Sequence, residues 1–151
     1  PTVVGIDGRP LADVLDTVAA AGPDLIIVDT PPHLRAVVSV AAERADAIVL
    51  PCKPTPEDLE ALAGSVAVAQ GRRAAVVFND VPPTGGALTM ARAGIVALGV
   101  PSCPTAITGR VGYPYASAEG LTVLEREPSS KAAAEIRAVW SWVRDSLLFT
   151  S

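Results

Sequence analysis

An α/β fold, with a doubly wound and mostly parallel sheet covered by helices on both faces, is what this sequence predicts. Three observations carry that expectation. Short apolar runs alternate with amphipathic stretches along the whole chain, the pattern of repeated strand–helix units. The runs "DLIIVD", "AIVLP" and "AAVVFN" show no polar alternation, as suits parallel strands buried on both faces. With 151 residues, half of them hydrophobic and only 4% aromatic, the chain is sized for about one domain with a core of small aliphatic side chains. One α/β domain over residues 1–151 is therefore expected.

The elements follow in order. "TVVGI" reads as a first strand, and "PLADVLDTVAAAG" as a helix with Leu11, Val14, Leu15, Val18 and Ala19 on one face, stopping at Gly22. "DLIIVD" is a second strand, and "LRAVVSVAAERA" a helix turning Leu34, Val37, Val38 and Ala41 inward. "AIVLP" is the third strand. The next helix has a strong start: Thr55 as N-cap, Pro56 in the first helical position and Asp58 three residues after the cap. "AAVVFN" is the fourth strand, followed by the loop "DVPPTGG" and a helix over roughly 87–98 that ends at Gly99. "PTAIT" suits a fifth, short strand. A last helix begins near Ser130 and buries Ile136, Val139, Val143 and Leu147, with Trp140 beside them.

Several function classes are disfavoured. No apolar run approaches the roughly 20 residues of a membrane helix, and these residues show no secretory signal pattern. Cys52 and Cys103 stand apart without metal-ligand spacing, and His33 is the only histidine, so buried free thiols fit better than a metal site. The net charge of −4 conceals an asymmetry: residues 1–60 hold ten acids and four bases, residues 61–151 six acids and eight bases. Any nucleic-acid surface is accordingly local, on the second part of the chain. Arg72 and Arg73 read as a solvated pair.

In open parallel sheets ligands sit beyond the carboxyl ends of the strands. Asp29, Asn79 and the stretch Pro51–Thr55 all fall at such ends. An aspartate closing a buried strand either holds Mg²⁺ opposite a nucleotide's phosphates or caps the following helix, and the pattern alone leaves both open. The Thr55–Asp58 stretch reads chiefly as a helix cap. Tyr113 and Tyr115 read as packing residues, since single-strand binding asks for more aromatics.

"DLIIVDTPP", "ADAIVLPCKPTPEDLEAL", "VVFNDVPP", "TAITGRVGYPYASAEGLTVLE" and the closing "SSKAAAEIRAVWSWV", in that order, resemble the ParA family of partition ATPases, including its short ParF-type members, within the MinD-like P-loop group. The resemblance runs over about residues 3–147. It implies a P-loop-type nucleotide fold and makes "VDTPP" the Walker B and second switch segment. One departure stands out: the glycine-rich lysine loop that grips phosphate in that family does not occur in these residues. The resemblance places it upstream, on strands and a helix of roughly 50 residues, and so implies that these residues form the C-terminal portion of a longer ATPase domain with its N-terminal strands missing.

On that resemblance Asp29 would be the catalytic carboxylate positioning Mg²⁺ through water, and Thr30 and Pro31 the segment sensing the terminal phosphate. Asn79 would read the adenine edge, an amide offering both donor and acceptor. Arg110 would face DNA, with Lys131 and Arg137 as weaker candidates. The implied activity is ATP hydrolysis in plasmid or chromosome partition: ATP and Mg²⁺ favour a homodimer that binds DNA non-specifically, and a centromere-binding partner protein stimulates hydrolysis. The implied location is cytoplasmic and nucleoid-associated, without membrane attachment. A MinD-like cell-division role is less favoured, because the last helix offers only Arg137 and Arg144 as bases near its two tryptophans. The reading from a different class is a non-catalytic regulatory or interaction domain of the same architecture.

Overall fold

The computed structural model describes residues 2–30 and 35–149. The chain divides into two compact units, Pro1–Ala45 and Asp46–Ser151.

The first unit holds two helices, α1 (Leu11–Ala20) and α2 (Arg35–Arg44). They pack on each other, and Arg44 of α2 makes an ion pair with Asp16 of α1. Val14, Ala41 and Ala42 are buried, while Leu11, Leu15 and Val18 are half-buried and Ala19 is exposed. The two strands expected here are not observed: residues 2–6 and 24–29 form no ladder with any described residue. A strand needs a hydrogen-bonding neighbour, and an apolar run without one keeps its side chains in water. Val3 and Ile27 are accordingly 94% and 81% exposed. Pro31, expected in the nucleotide switch, lies outside the described residues, as do His33 and Leu34.

The second unit is built on two parallel strands, β1 (Ile48–Cys52) and β2 (Ala74–Phe78), in register from Ile48 opposite Ala74 to Cys52 opposite Phe78. Parallel neighbours require a crossover, and α3 (Pro56–Val68) supplies it. Its start is the one the sequence indicates: Thr55 is the N-cap, its hydroxyl accepts from the Asp58 amide at 3.3 Å, and Pro56 opens the helix. Asp58 also reaches back to accept from the Lys53 amide at 3.1 Å, which fixes the path between strand and helix.

β2 is bonded along both edges. On the side away from β1, its carbonyls and amides meet the segment 101–109. Val76 N donates to Pro101 O at 2.9 Å, Cys103 N to Val76 O at 2.8 Å and Ile107 N to Phe78 O at 2.9 Å. The segment makes two isolated parallel bridges, Val76 with Ser102 and Val81 with Thr108, and only the second falls within the expected fifth strand "PTAIT". The prolines at 101 and 104 have no amide hydrogen to donate, which interrupts a continuous ladder.

The two faces of β2 are covered by different helices. Val76 and Phe78, both fully buried, pack with Leu62 of α3 and with Ala91 and Ile95 of α4 (Ala87–Val96). Ala75 points the other way, onto Val143 and Leu147 at the end of α7 (Lys131–Val143) and in the π-helical turn Arg144–Leu148 that follows. Two short helices, α5 (Gly112–Ala118) and α6 (Val123–Arg126), pack against α7 through Ala116, Val123 and Ala132. The expected inward tryptophan is corrected: Trp140 is 45% exposed, and Trp142 packs beside Ala75 and Val139. Position 142 lies three residues from Val139 and shares its face, whereas 140 is turned about 100° away. Cys52 and Cys103 are buried free thiols, and burial pushes both above the ordinary thiol range. Among the described residues no helix is long and apolar enough to cross a membrane.

Candidate functional site

The carboxyl ends of β1 and β2 open into a cleft of about 280 Å³. One wall is the strand-end pair Asn79–Asp80, with Lys53 beside it. The other is the loop Thr108–Arg110 with Tyr113 and Pro114. Asn79 is placed by the sheet: its amide extends the ladder, donating to Cys52 O at 2.8 Å. Its side-chain carbonyl accepts from Asp80 N at 2.9 Å. That bond accompanies a left-handed backbone at Asp80 (φ 53°), a conformation that aspartate and asparagine tolerate better than most residues. The Asn79 side chain is exposed at the cleft.

Asp80 is the hinge of the arrangement. Its carboxylate pairs with Lys53 Nζ at 2.9 Å, and this bond holds the Lys53 ammonium above its ordinary range. On its other side lies Gly109. A Cβ built there would stand 2.6 Å from Asp80 Oδ1, closer than any side chain could sit without displacement. A larger residue at this position of "TGR" would have to displace the Asp80 carboxylate.

The loop is fastened from behind by α7. Glu135 accepts from Thr108 N at 3.1 Å, from Thr108 Oγ1 at 3.0 Å and from Arg110 Nη2 at 2.6 Å. Burial pushes the Glu135 carboxyl up, but the bonds from Arg110 and Thr108 outweigh it and the net displacement is downward. The same pairing raises Arg110. A second hollow of about 520 Å³ continues past Arg110 between the Pro82–Pro83 loop, Thr89 and Lys131.

Of the residues singled out from the sequence, Asn79 and Arg110 line one cleft. Asp29, exposed, and Thr30, half-buried, belong to the first unit. Arg110 is engaged by Glu135, Arg137 donates to Pro128 O at 2.8 Å, and Lys131 borders the second hollow. Tyr113 packs with Ala116 and Ala132 as expected, whereas Tyr115 is 58% exposed with the Arg126 guanidinium 5.8 Å from its ring centre. Asp80, Thr108 and Glu135 escaped sequence reasoning, whereas Lys53 falls in the stretch Pro51–Thr55 expected at the strand ends. A signal for Glu135 existed: it is the only acid in "KAAAEIRAVWSWV" and sits three residues after Ala132, on the inner face.

Among the described residues no three His, Cys, Asp or Glu side chains cluster as a metal cage. Mg²⁺ in nucleotide sites is held by one or two carboxylates, waters and substrate phosphates rather than by an all-protein cage. A single exposed carboxylate such as Asp29 fits that chemistry.

The second unit is thus a small α/β arrangement with a cleft at the carboxyl edge of its two parallel strands, the edge at which ligands bind in open α/β sheets. No family model matches the chain. Over 119 residues it is 30% identical to the "Maintenance of carboxysome distribution protein A" of Gloeobacter kilaueensis, a match covering 76% of this chain and 55% of that protein. The chain thus spans about half the length of that curated relative. The match supports a distant ParA-like relationship.

Proposed function

We propose that this chain is part of a ParA-like ATPase that positions a cellular cargo, with the Asn79 cleft as the seat of the nucleotide base. The observation that carries this reading is the exposed Asn79 amide at the end of β2, in a polar cleft, in a chain distantly similar to a ParA-like protein. In this reading the doubly wound sheet of the sequence expectation is completed around β1 and β2, and Asp29 positions Mg²⁺ through water while Thr30 and Pro31 sense the terminal phosphate. The ion supplies positive charge to the phosphates. A homodimer bound to non-specific DNA, and a partner protein that stimulates hydrolysis, complete the scheme. The relative's name concerns carboxysome distribution, so the cargo extends beyond plasmids and chromosomes.

Arg110 enters the scheme differently from the sequence expectation. Its guanidinium serves Glu135, and the DNA contact falls more naturally to Lys131.

Titration of the full-length protein with a fluorescent ATP analogue tests the base site. Asn79→Ala should raise Kd about tenfold, the loss of roughly 1.4 kcal/mol of amide hydrogen bonding. Unchanged affinity would remove Asn79 from the site, and a wild-type protein that binds no nucleotide would favour the non-catalytic interaction domain.

A further inference from the structure

We infer that Glu135, on α7, is the positioning residue of the cleft: it holds the Thr108–Arg110 wall at the spacing at which the Asn79 side can grip a ligand. This rests on the reading that the cleft takes the base of a nucleotide.

The backbone around Thr108 shows why such a residue is needed. Successive amides in an extended segment point to opposite sides. Ile107 and Gly109 direct their amides toward β2 and its extension, donating to Phe78 O and Val81 O, both at 2.9 Å. The intervening Thr108 amide points away from the sheet, where a further strand would accept it. In its place stands the Glu135 carboxylate at 3.1 Å. A buried or half-buried amide without a partner is costly, so a side-chain acceptor closes this edge.

The carboxylate does more than satisfy one amide. Oε1 takes Thr108 Oγ1 and Arg110 Nη2, and Oε2 takes the Thr108 amide and, at 3.5 Å, Arg110 Nε. Two residues flanking Gly109 are thereby tied to one rigid helix. Gly109 itself lies so close to Asp80 that an added carbon would stand 2.6 Å from Oδ1. Asp80 in turn accepts from Lys53 with its carboxylate and donates its amide to Asn79 Oδ1. The loop is joined to the strand end by backbone bonds, from Val81 N to Ile107 O at 3.0 Å and from Gly109 N to Val81 O at 2.9 Å, so a shift of the loop is transmitted to the segment that carries Asn79. The Glu135 side chain is only 18% exposed, which keeps water from competing for these bonds.

Loss of the Glu135 bonds to Thr108 and Arg110 should therefore lower affinity for the base, although Glu135 itself does not line the cleft.

The test compares wild type, Glu135→Gln and Glu135→Ala in the full-length protein, at a temperature well below the lowest melting midpoint of the three. Two readouts are taken: Kd for a fluorescent ATP analogue, and hydrogen exchange at the Thr108 and Gly109 amides. Glu135→Ala should raise Kd at least tenfold and accelerate exchange at both amides. Glu135→Gln should fall between, since it keeps one acceptor oxygen but loses the charge that Arg110 requires. Ala138→Ser, at an exposed position on the same helix, should leave Kd unchanged. A residue that served stability alone would lower the melting midpoint of Glu135→Ala and leave its low-temperature Kd at the wild-type value. That result overturns the inference while the base-site reading stands. Wild-type protein that binds no nucleotide overturns the base-site reading and this role with it.

Discussion

"DLIIVD" in the first unit and "AAVVFN" in the second are nearly the same sequence signal, yet they have opposite fates. Of the second, Ala75 to Phe78 are at most 4% exposed, with hydrogen bonds on both edges and helices on both faces. In the first, Leu25, Ile26 and Ile27 are 45%, 37% and 81% exposed, and no described residue pairs with their backbone. Apolar composition makes a strand possible. A ladder partner makes it real, because each backbone donor and acceptor removed from water needs another to replace it.

The largest expected effect tests that contrast directly. Phe78→Ala removes a side chain with no exposure from the centre of the core between β2, α3 and α4. It should cost about 3–5 kcal/mol. Ile27→Ala, at an exposed position, should stay within about 0.5 kcal/mol. Denaturant melts of both variants of the 151-residue chain measure the difference. Comparable losses would break the contrast and show Ile27 to be part of a core.

If the first unit contributes little burial at Asp29, its importance should be chemical. Asp29→Ala should reduce ATP hydrolysis by the full-length protein roughly 10²–10³-fold, since the carboxylate that orients Mg²⁺ acts mainly on the transition state. Its melting midpoint should hardly move. A helix-cap role would instead take about 1 kcal/mol of stability and leave turnover near normal. Melting and hydrolysis measured on one preparation separate the alternatives, and normal turnover would leave "VDTPP" without a functional part.

Gly109→Ala probes the second unit where packing and site coincide. The new methyl group meets Asp80 Oδ1, so either Asp80 releases Lys53 or the loop moves. Loss of an exposed ion pair of this kind costs up to about 1 kcal/mol. Nucleotide affinity should fall together with stability. Wild-type values for both would show the loop to be freer than the geometry implies.

The same contrast explains what could be read in advance. Thr55, Pro56 and Asp58 signal a helix start through chemistry confined to four neighbouring residues, and that start is present. β1 and β2 were legible because their runs are apolar and each finds the other. "TVVGI" and "DLIIVD" carry an equal signal, but pairing is a non-local property that no window of sequence contains. "PTAIT" fails for a local reason, since it opens on Pro104, which has no amide to give a ladder. Within the site, Asn79 was visible because a strand end predicts a ligand edge. For Glu135 only its place on the inner face of a helix was legible, because its partner Thr108 lies 27 residues away and only the packing of α7 brings them together.

Acid should act on the second unit with the smallest effect of these. Glu125, Glu135 and Asp145 all belong to it, and each is displaced downward. For Glu135 burial works in the opposite direction, and the bonds from Arg110 and Thr108 prevail. A carboxyl lowered in the folded state binds protons less readily there than in the unfolded chain. Its contribution is therefore full above the ordinary glutamate value of about 4.3 and fades as pH falls through the lower folded value. Wild-type stability should accordingly decline on the acid side of that value. Glu135→Gln should show lower stability at neutral pH and a shallower acid decline, because the titrating group is gone while Glu125 and Asp145 remain. Melting midpoints of the two proteins between pH 7 and pH 3 should converge at the acid end, with a steady gap pointing to lost packing at position 135 rather than lost charge.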